Sequence, residues 1–350
     1  MAGEHLRPGP YREVSLPGGS PGFRCGPADT VLLAGLRAGW DLSYECASGG
    51  CGSCKAVLLD GEVECLWPDA TGLTARDRRK GGRILLCQSR PLSDCTVRTA
   101  APPARSADAV PPPSRRAARI AAVEPLGPGT VLLSVDCGRP MPYLAGQFVI
   151  LELPDGTRRA YSMAREPGRA PSSRIEMLVR EKPGGSASSW LFGAAAPGAP
   201  IVVEGPYGRA FVQSPADRPV VCVGGGSGLG PVLAIAERCL TEAPRRPVAL
   251  FVGARNEEDV VLLDRLTRLH QRGGEVVVAV EKDDPDAGPR PWGPTRPGLV
   301  TDVLAAERAD LTGEDVYAAG PDGMIDAFLA AFVRTGRAAA DRVYFDRFVA

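Results

Sequence analysis

Residues 44–55 read YECASGGCGSCK and place three cysteines in the pattern C-x4-C-x2-C. A fourth cysteine follows in the segment LLCQSRPLSD, after enough chain to form a hairpin and a helix. This spacing is typical of plant-type [2Fe–2S] proteins, in which cysteine thiolates hold the two irons. We therefore predict an iron–sulfur cluster with the ligands Cys46, Cys51, Cys54 and Cys87.

The residues around these cysteines suit a negatively charged cluster. Gly49, Gly50 and Gly52 carry no Cβ, so the loop can fold tightly and point backbone N–H groups at the sulfurs. A zinc site is the alternative, but zinc proteins favour two C-x2-C pairs and this chain has one. The two histidines, His5 and His270, lie far from the motif in sequence, which argues against a Rieske centre on this chain.

The composition indicates an ordinary globular protein of several domains. Its 350 residues are 44% hydrophobic and 23% charged, and 41 basic residues balance 41 acidic ones. This balance favours neither nucleic acid nor a membrane surface as a partner. Residues 1–11 contain no secretory signal, so we expect a cytoplasmic protein with reduced thiols. The remaining cysteines are interpreted as small apolar residues of the core or surface: Cys25, Cys65, Cys95, Cys137, Cys222 and Cys239.

Changes in pattern along the chain predict three domains. Residues 101–116 read APPARSADAVPPPSRR and are interpreted as a linker after a cluster domain over 11–100. Short β-rich runs over 117–214 predict an antiparallel barrel, and alternating strands and helices over 215–350 predict an open parallel α/β sheet. Other predicted elements are a helix over 30–38, a strand–turn–strand over 56–63, and helices over 230–239, 258–269, 300–306 and 324–332.

Two segments of the predicted barrel, RAYSMA at 159–164 and VREKPGGSASSWL at 179–191, suit a dinucleotide. Arg159 offers a planar fork for a phosphate, and Tyr161 offers a flat ring for stacking. Gly184 and Gly185 precede a predicted helix containing Ser188, whose first N–H groups could hold a pyrophosphate. Each motif alone is common, but in this order, with GPYG at 205–208 closing the barrel, they predict a flavin site.

A glycine-rich turn, GGGSGLGP at 224–231, stands between a predicted strand and a predicted helix. Leu229 occupies the place of the third glycine of the G-x-G-x-x-G fingerprint, yet the turn still directs N–H groups and the helix dipole at a phosphate. The segment AGPDGM at 319–324 follows the last predicted strand and is expected to line the nicotinamide side of the same cleft.

The segment GARNEEDV at 253–260 bears on the choice of nucleotide. Glu257, Glu258 and Asp259 are predicted to place negative charge beside the adenosine ribose, which would repel a 2′-phosphate and favour NADH over NADPH. Arg255 argues in the opposite direction. The alternative reading of the three acids is a solvated helix start, where acidic residues are favoured in any case.

Taken together and in this order, the motifs over about 22–349 resemble the ferredoxin–NADP reductase superfamily fused to a plant-type ferredoxin. The segments GEVECLWPDATGL, RRKGGRILLCQ and PLSD are most similar to the reductase components of bacterial soluble diiron monooxygenases of the toluene and alkene type. The resemblance implies a β-grasp ferredoxin domain, an antiparallel β-barrel FAD-binding domain and a parallel α/β NAD-binding domain.

The resemblance also implies roles for individual residues. Tyr161 would pack on the isoalloxazine, Ser162 would hydrogen-bond near N5, and Phe348 would shield the flavin where nicotinamide enters. Many relatives have cysteine at the position of Ala319, so hydride transfer here is expected to be tuned differently. The full set of implied cofactor contacts is Arg159, Ala160, Tyr161, Ser162, Val179, Gly184, Gly185 and Ser188 for FAD, and Gly225, Gly226, Ser227, Gly228, Arg255, Gly320, Pro321 and Phe348 at the nicotinamide nucleotide.

The three predicted cofactors have complementary roles in electron transfer. NADH gives two electrons as hydride, a [2Fe–2S] cluster accepts one, and a flavin can exchange both ways. The resemblance implies a path from NADH to FAD, to the cluster, and then to a diiron hydroxylase, directly or through a Rieske ferredoxin. The alternatives are a Rieske ring-hydroxylating dioxygenase, a cytochrome P450 or a deoxysugar dehydratase as acceptor, or a redox-sensing module without catalysis. The proline-rich linker suggests that the ferredoxin domain moves between flavin and acceptor.

Overall fold

The computed structural model describes residues 9–17, 21–100, 104–105, 110–168, 170, 172–213, 217–282 and 290–348. Three sheets of five or six strands dominate it, one in each predicted domain. The predicted fold class is confirmed: a ferredoxin domain, an antiparallel barrel and a parallel α/β domain follow one another. Among the described residues, no helix has both the length and the apolar character that crossing a membrane requires.

The N-terminal domain is a β-grasp in which helix α1 (Val31–Arg37) packs on a five-stranded sheet. Its strands are β1 (Arg12–Ser15), β2 (Phe23–Cys25), β3 (Trp40–Asp41), β4 (Lys55–Asp60), β5 (Val63–Cys65), β6 (Arg83–Leu85), β7 (Ser89–Pro91), β8 (Cys95–Thr99) and β9 (Ala104–Arg105). The main sheet has the order β2-β1-β8-β4-β6. The predicted helix over 30–38 is confirmed, because the Thr30 hydroxyl accepts the Leu33 N–H at 3.2 Å and begins α1.

The strand–turn–strand predicted over 56–63 forms two strands that do not pair with each other. β4 pairs with β6 and β8, whereas β5 pairs with β7 in a separate small sheet. The cause lies at the turn, where Gly61 has a φ of 86° and its backbone packs against Asp94. A short helix, α2 (Ala75–Lys80), lies between β5 and β6.

The barrel consists of six antiparallel strands in the order β13-β12-β15-β10-β11-β14. They are β10 (Ser114–Gly127), β11 (Thr130–Asp136), β12 (Phe148–Glu152), β13 (Arg158–Ser162), β14 (Arg174–Arg180) and β15 (Pro200–Tyr207). A bridge between Met163 and Met177 joins the two ends of the sheet and closes the barrel. Helix α3 (Ser186–Gly193) packs on the barrel core through Leu191.

Two strands overlap the linker predicted over 101–116, and residues 110–113 between them belong to no strand or helix. β10 begins at Ser114 because its first six residues pair with β15, from Ser114 opposite Gly205 to Arg119 opposite Pro200. Upstream, β9 pairs with β3 of the ferredoxin domain. Positions 101–103 and 106–109 of the predicted linker lie outside the described residues.

The C-terminal domain is a parallel sheet in the order β19-β18-β17-β16-β20-β21. Its strands are β16 (Val220–Gly225), β17 (Val248–Ala254), β18 (Glu275–Val280), β19 (Thr295–Pro297), β20 (Asp315–Pro321) and β21 (Val343–Phe348). Its helices are α4 (Leu229–Glu242), α5 (Leu263–Gln271), α6 (Val300–Glu307) and α7 (Asp322–Phe328). Cys222 and Val223 of β16 belong to different apolar clusters, so both faces of the sheet are buried, which explains the unbroken apolar runs in the sequence.

Three elements of this domain differ from the prediction. The helix predicted over 258–269 begins only at Leu263, because Glu257–Asp259 form a separate 3-10 turn and Leu262 has a φ of 60°. The helix predicted over 324–332 begins at Asp322 and continues as a π-helical turn over 329–333. Strands β19 and β21 were not predicted as strands, since they are short edge strands whose half-exposed residues lack a continuous apolar run.

The ferredoxin domain is docked on the barrel. Phe148 and Tyr207 of the barrel pack in the apolar core of the ferredoxin domain. The Tyr44 ring meets the Tyr207 ring edge-on at 5.9 Å, and the Tyr44 hydroxyl accepts the Gly208 N–H at 2.9 Å. This buried contact joins the two domains only two residues before the first predicted cluster ligand.

Candidate functional site

The four predicted cluster ligands lie as two close pairs. The sulfurs of Cys54 and Cys87 are 3.3 Å apart, and the Cys51 N–H donates to the Cys46 sulfur at 3.4 Å. A [2Fe–2S] cluster with four cysteine ligands needs two thiolates on each iron, so two pairs of thiols are the arrangement that it requires. The residues present therefore fit this cluster.

Close packing of the backbone shapes the loop that carries these cysteines. Gly52 has a φ of 79°, and a Cβ there would lie 2.6 Å from the carbonyl oxygen of Gly72. The Gly72 N–H in turn donates to the carbonyl of Gly49 at 2.9 Å. Cys46, Cys54 and Cys87 are buried, and Cys51 is half-exposed. Of the predicted loop glycines, Gly49 and Gly52 have a positive φ and a close contact that a Cβ would disturb.

Within each pair of thiols, the pKa of one is lowered and that of the other is raised. A hydrogen bond from the Cys51 thiol lowers the pKa of Cys46 to about 5, and the same contact raises the pKa of Cys51. The contact with Cys87 likewise lowers the pKa of Cys54. One thiol of each pair is thus stabilised as the thiolate, which is the form that binds iron.

The predicted flavin residues lie on β13 and at the start of α3. Tyr161 is half-buried against the barrel core, and burial raises the pKa of its phenol to about 12, so the ring stays neutral for stacking. Arg159 and Ala160 are exposed, and Arg159 donates to the carbonyl of Arg158 at 2.8 Å. The side chain of Val179 is buried in the barrel core, so this residue could contact a cofactor only through its main chain.

The turn before α3 offers a helix start without a side-chain cap. Gly184 has a φ of 73°, and Gly185 stands at the N-cap of α3. The Ser188 hydroxyl accepts the Lys182 N–H at 3.1 Å and lies 3.0 Å from the carbonyl oxygen of Gly185. Ser188 therefore shapes the turn by bonding its backbone, while the first N–H groups of α3 are those that could hold a phosphate.

The predicted nucleotide motifs meet at one edge of the parallel sheet. The strand order reverses between β16 and β20, and ligands of open α/β sheets bind at such a switch point. Gly224 pairs with Ala319, and a Cβ on Gly228 would overlap the carbonyl oxygen of Ala319. The glycine-rich turn thus lies directly against Gly320 and Pro321, in the shape that the sequence predicted for this cleft.

The predicted acidic field beside the ribose is weaker than the sequence suggested. Glu257 forms an ion pair with Arg290, and Asp259 forms one with Arg180 at 3.0 Å. Glu258 and Arg255 are both exposed. Because arginines distant in sequence offset two of the three carboxylates, these charges alone give little preference for NADH over NADPH.

Strand β21 brings a residue to the flavin site that the sequence reasoning missed. The Ser162 hydroxyl donates to the Asp346 carboxylate at 2.6 Å, across 184 positions of sequence. Burial is the main cause that raises the pKa of Asp346 to about 6, and the charges of Glu45 and Cys51 add to it. The sequence feature that could have indicated Asp346 is the single acidic residue within the aromatic segment YFDRF at 344–348. Phe348, two residues later, pairs with Pro321 at the nucleotide edge.

Comparison with known proteins identifies all three domains. Residues 18–92 match the 2Fe-2S iron-sulfur cluster binding domain, residues 119–211 the oxidoreductase FAD-binding domain, and residues 222–329 the oxidoreductase NAD-binding domain. Over 330 residues, 93% of this chain and 98% of the relative, the sequence is 44% identical to the ferredoxin–NAD(+) reductase component of the alkene monooxygenase system of Xanthobacter autotrophicus. The chain belongs to the ferredoxin–NAD(P)+ reductase components of oxygenase systems.

Two solved structures of such reductases share the whole architecture. The ferredoxin reductase in carbazole 1,9a-dioxygenase is similar with a TM-score of 0.85 and 34% identity, over 97% of this chain and 99% of that one. The Amycolatopsis cytochrome P450 reductase GcoB is similar with a TM-score of 0.81 and 31% identity, over 96% of this chain and 98% of that one. The chain is therefore an electron-transfer oxidoreductase with [2Fe–2S], FAD and nicotinamide nucleotide as its cofactors.

Proposed function

We propose that this chain is the reductase component of a monooxygenase system. It takes hydride from NADH onto FAD and sends single electrons through its cluster to a separate oxygenase component. The observation that carries the proposal is the meeting of three sites. Ser162 on the flavin strand bonds Asp346 on β21 at 2.6 Å, and Tyr207 of the barrel packs on Tyr44 beside the cluster loop at 5.9 Å.

The residues of the site divide the work between binding and positioning. Arg159 and the turn at Gly184 and Gly185 hold the FAD phosphates, and Tyr161 packs on the flavin ring. Ser162, oriented by Asp346, hydrogen-bonds the reacting edge of the flavin. FAD supplies the exchange between two-electron and one-electron chemistry.

At the other edge, Gly225, Gly226, Ser227 and Gly228 bind the phosphates of NADH. Gly320, Pro321 and Phe348 line the nicotinamide side of the cleft, and Phe348 excludes water until nicotinamide replaces it. Two contacts support these roles: the glycine-rich turn packs against β20, and Phe348 pairs with Pro321. Arg255, exposed on β17's loop, contacts the adenosine end.

We propose that the docked arrangement of the two domains, without movement of the ferredoxin domain, is the one that would serve electron transfer once both cofactors are bound. The contact of Tyr44 with Tyr207 and the ion pair of Asp41 with Arg209 at 2.8 Å hold the two domains together. This proposal replaces the mobile ferredoxin that the proline-rich linker suggested. We propose a cytoplasmic location, because the NADH supply and the reducing conditions that free thiols need are found there.

A diiron hydroxylase, reached directly or through a Rieske ferredoxin, is the acceptor that we propose. The 44% identity to the alkene monooxygenase relative exceeds the 36% to the reductase CarAd of Metapseudomonas resinovorans and the 32% to the aromatic O-demethylase reductase of Amycolatopsis. The similar structures of the reductase in carbazole 1,9a-dioxygenase and of the cytochrome P450 reductase GcoB keep a ring-hydroxylating dioxygenase or a cytochrome P450 as the second candidate.

The test is NADH-dependent substrate oxidation with purified oxygenase components of each class. We expect turnover with a diiron hydroxylase, with or without its Rieske ferredoxin, and product formed in proportion to NADH consumed. The Cys54→Ser variant, which lacks one cluster ligand, serves as the control and should keep NADH-dependent dye reduction while losing hydroxylation. Turnover with only a P450 or a ring-hydroxylating dioxygenase would refute the proposed acceptor.

A further inference from the structure

One surface beside the cluster loop combines an exposed aromatic ring with unpaired positive charge. We call it the exit face. It consists of the segment from Trp67 through helix α2 to the start of β6. Trp67 is 39% exposed, and the helix has no buried residue. The basic side chains of the exit face, all exposed, are Arg76, Arg78, Arg79, Lys80 and Arg83.

The exit face lies against the loop that carries the cluster ligands. A Cβ on Gly49 would be 2.9 Å from the Trp67 ring, so the indole covers this part of the loop. The Thr71 hydroxyl donates to the carbonyl of Gly50 at 3.2 Å. Cys51, the half-exposed ligand, directly follows these two glycines. An acceptor seated on the exit face would therefore approach the cluster at its most accessible ligand.

The positive charge of the exit face is local. The segment holds two acids against five basic residues: Asp69 is exposed, and Asp77 is paired with Lys55 at 2.9 Å and bonded to the Thr74 cap. In the described part of the chain no ion pair reaches Arg76, Arg79, Lys80 or Arg83. Since the whole chain has 41 basic and 41 acidic residues, this excess does not follow from a basic protein overall.

The helix that carries these charges is bonded to the preceding loop although it buries nothing. A capping box between Thr74 and Asp77 begins α2, and Arg78 donates to the carbonyls of Pro68 and Ala70. Tethering at both ends presents the remaining cations in a defined place. The barrel covers the ferredoxin domain at Asp41 and Tyr44 and leaves Trp67 and α2 in solvent.

We propose that the exit face is the docking surface for an acidic face of the electron-acceptor protein. Opposite charges across such a surface raise the rate of encounter, and salt weakens them. The inference rests on the proposed function only in that an acceptor protein exists; it holds for a hydroxylase or for a ferredoxin.

The test compares two double variants of equal net charge. Arg79→Glu/Lys80→Glu reverses the exit face, whereas Arg245→Glu/Arg334→Glu reverses two exposed arginines of the NAD domain. Each protein is loaded with its cofactors and reduced with NADH. The acceptors are an acidic Rieske-type ferredoxin and cytochrome c, a basic protein, each measured at low and at high ionic strength.

At low salt we expect exit-face reversal to slow ferredoxin reduction by about tenfold or more, within the usual range of electrostatic steering. The same variant should reduce cytochrome c faster than the wild type does, and both differences should shrink at high salt. Dye reduction by the flavin should stay unchanged, which shows that the variant is folded. The NAD-domain variant should match the wild type with both acceptors.

Equal effects of the two double variants, or no effect of exit-face reversal, would overturn the inference. Binding of the wild type to anionic vesicles that the reversal abolishes, with acceptor rates unchanged, would assign the face to a membrane and also overturn it. If charge-dependent ferredoxin reduction is seen but no diiron hydroxylase turns over, the inference stands and the proposed acceptor fails. Reduction of neither protein acceptor by the wild type overturns both.

Discussion

Substitution of Gly72 by alanine would strain the cluster loop by a distance that the structure defines. The new Cβ would lie 2.7 Å from the carbonyl oxygen of Gly49 and 2.8 Å from the amide nitrogen of Gly52, where ordinary contact begins at 3.4 Å. One of the two backbone segments must therefore move by about 0.7 Å, because neither neighbour is a side chain that can rotate away. The shift also weakens the bond from the Gly72 N–H to the Gly49 carbonyl.

The expected cost is about 1–3 kcal/mol of ferredoxin-domain stability, the usual range for an overpacked site. We expect less bound iron and lower cluster absorbance per flavin. NADH-dependent reduction of cytochrome c, which needs the cluster, should fall with the iron content. Reduction of ferricyanide by the flavin should not change, since the barrel and the NAD domain are untouched. Iron analysis, visible spectra and both assays on one preparation measure these effects.

Gly313→Ala is the matched control, because Gly313 is exposed and a Cβ there meets no atom within 4 Å. It should leave iron content, both activities and thermal unfolding unchanged. The reasoning is refuted if Gly72→Ala retains wild-type iron content and wild-type cytochrome c reduction. Equal loss of both activities would also refute it, since the damage would then extend beyond the ferredoxin domain.

Three further substitutions test the other parts of the site. The Cβ that Gly228→Ala adds would overlap the Ala319 carbonyl, so this variant should lower kcat/KM for NADH by about 10²-fold without loss of FAD. Stopped-flow flavin reduction measures the effect, and a change under threefold contradicts the prediction. Burial raises the pKa of Asp346 from 3.8 to about 6, so its contribution to stability falls as pH rises through that window. Asp346→Asn should therefore raise Tm relative to wild type more at pH 7.5 than at pH 4.5. An increase in Tm of the same size at both pH values would contradict this prediction. Tyr44→Phe leaves the Gly208 N–H without its acceptor and should cost about 1–3 kcal/mol in urea unfolding, with an unchanged midpoint as the contrary result.

Short-range patterns in the sequence determined the fold class and most of the candidate site. The cluster ligands could be predicted because three of them lie within nine residues, and their spacing follows from the geometry of the two irons. The parallel sheet could be predicted because strands buried on both faces read as unbroken apolar runs. The glycine-rich turns could be predicted because only glycine permits such backbone conformations and close approaches.

Only the tertiary structure decided the features that join residues far apart in the chain. Asp346 meets Ser162 across 184 positions, Arg290 offsets Glu257, and Tyr44 locks the ferredoxin domain on the barrel through Tyr207. None of these pairs can be recognised from the sequence, because the two partners lie in different segments and neither segment shows a pattern that points to the other. Their positions depend on how the sheets pack, and that packing places Arg290 beside Glu257, Asp346 beside Ser162 and Tyr44 against Tyr207.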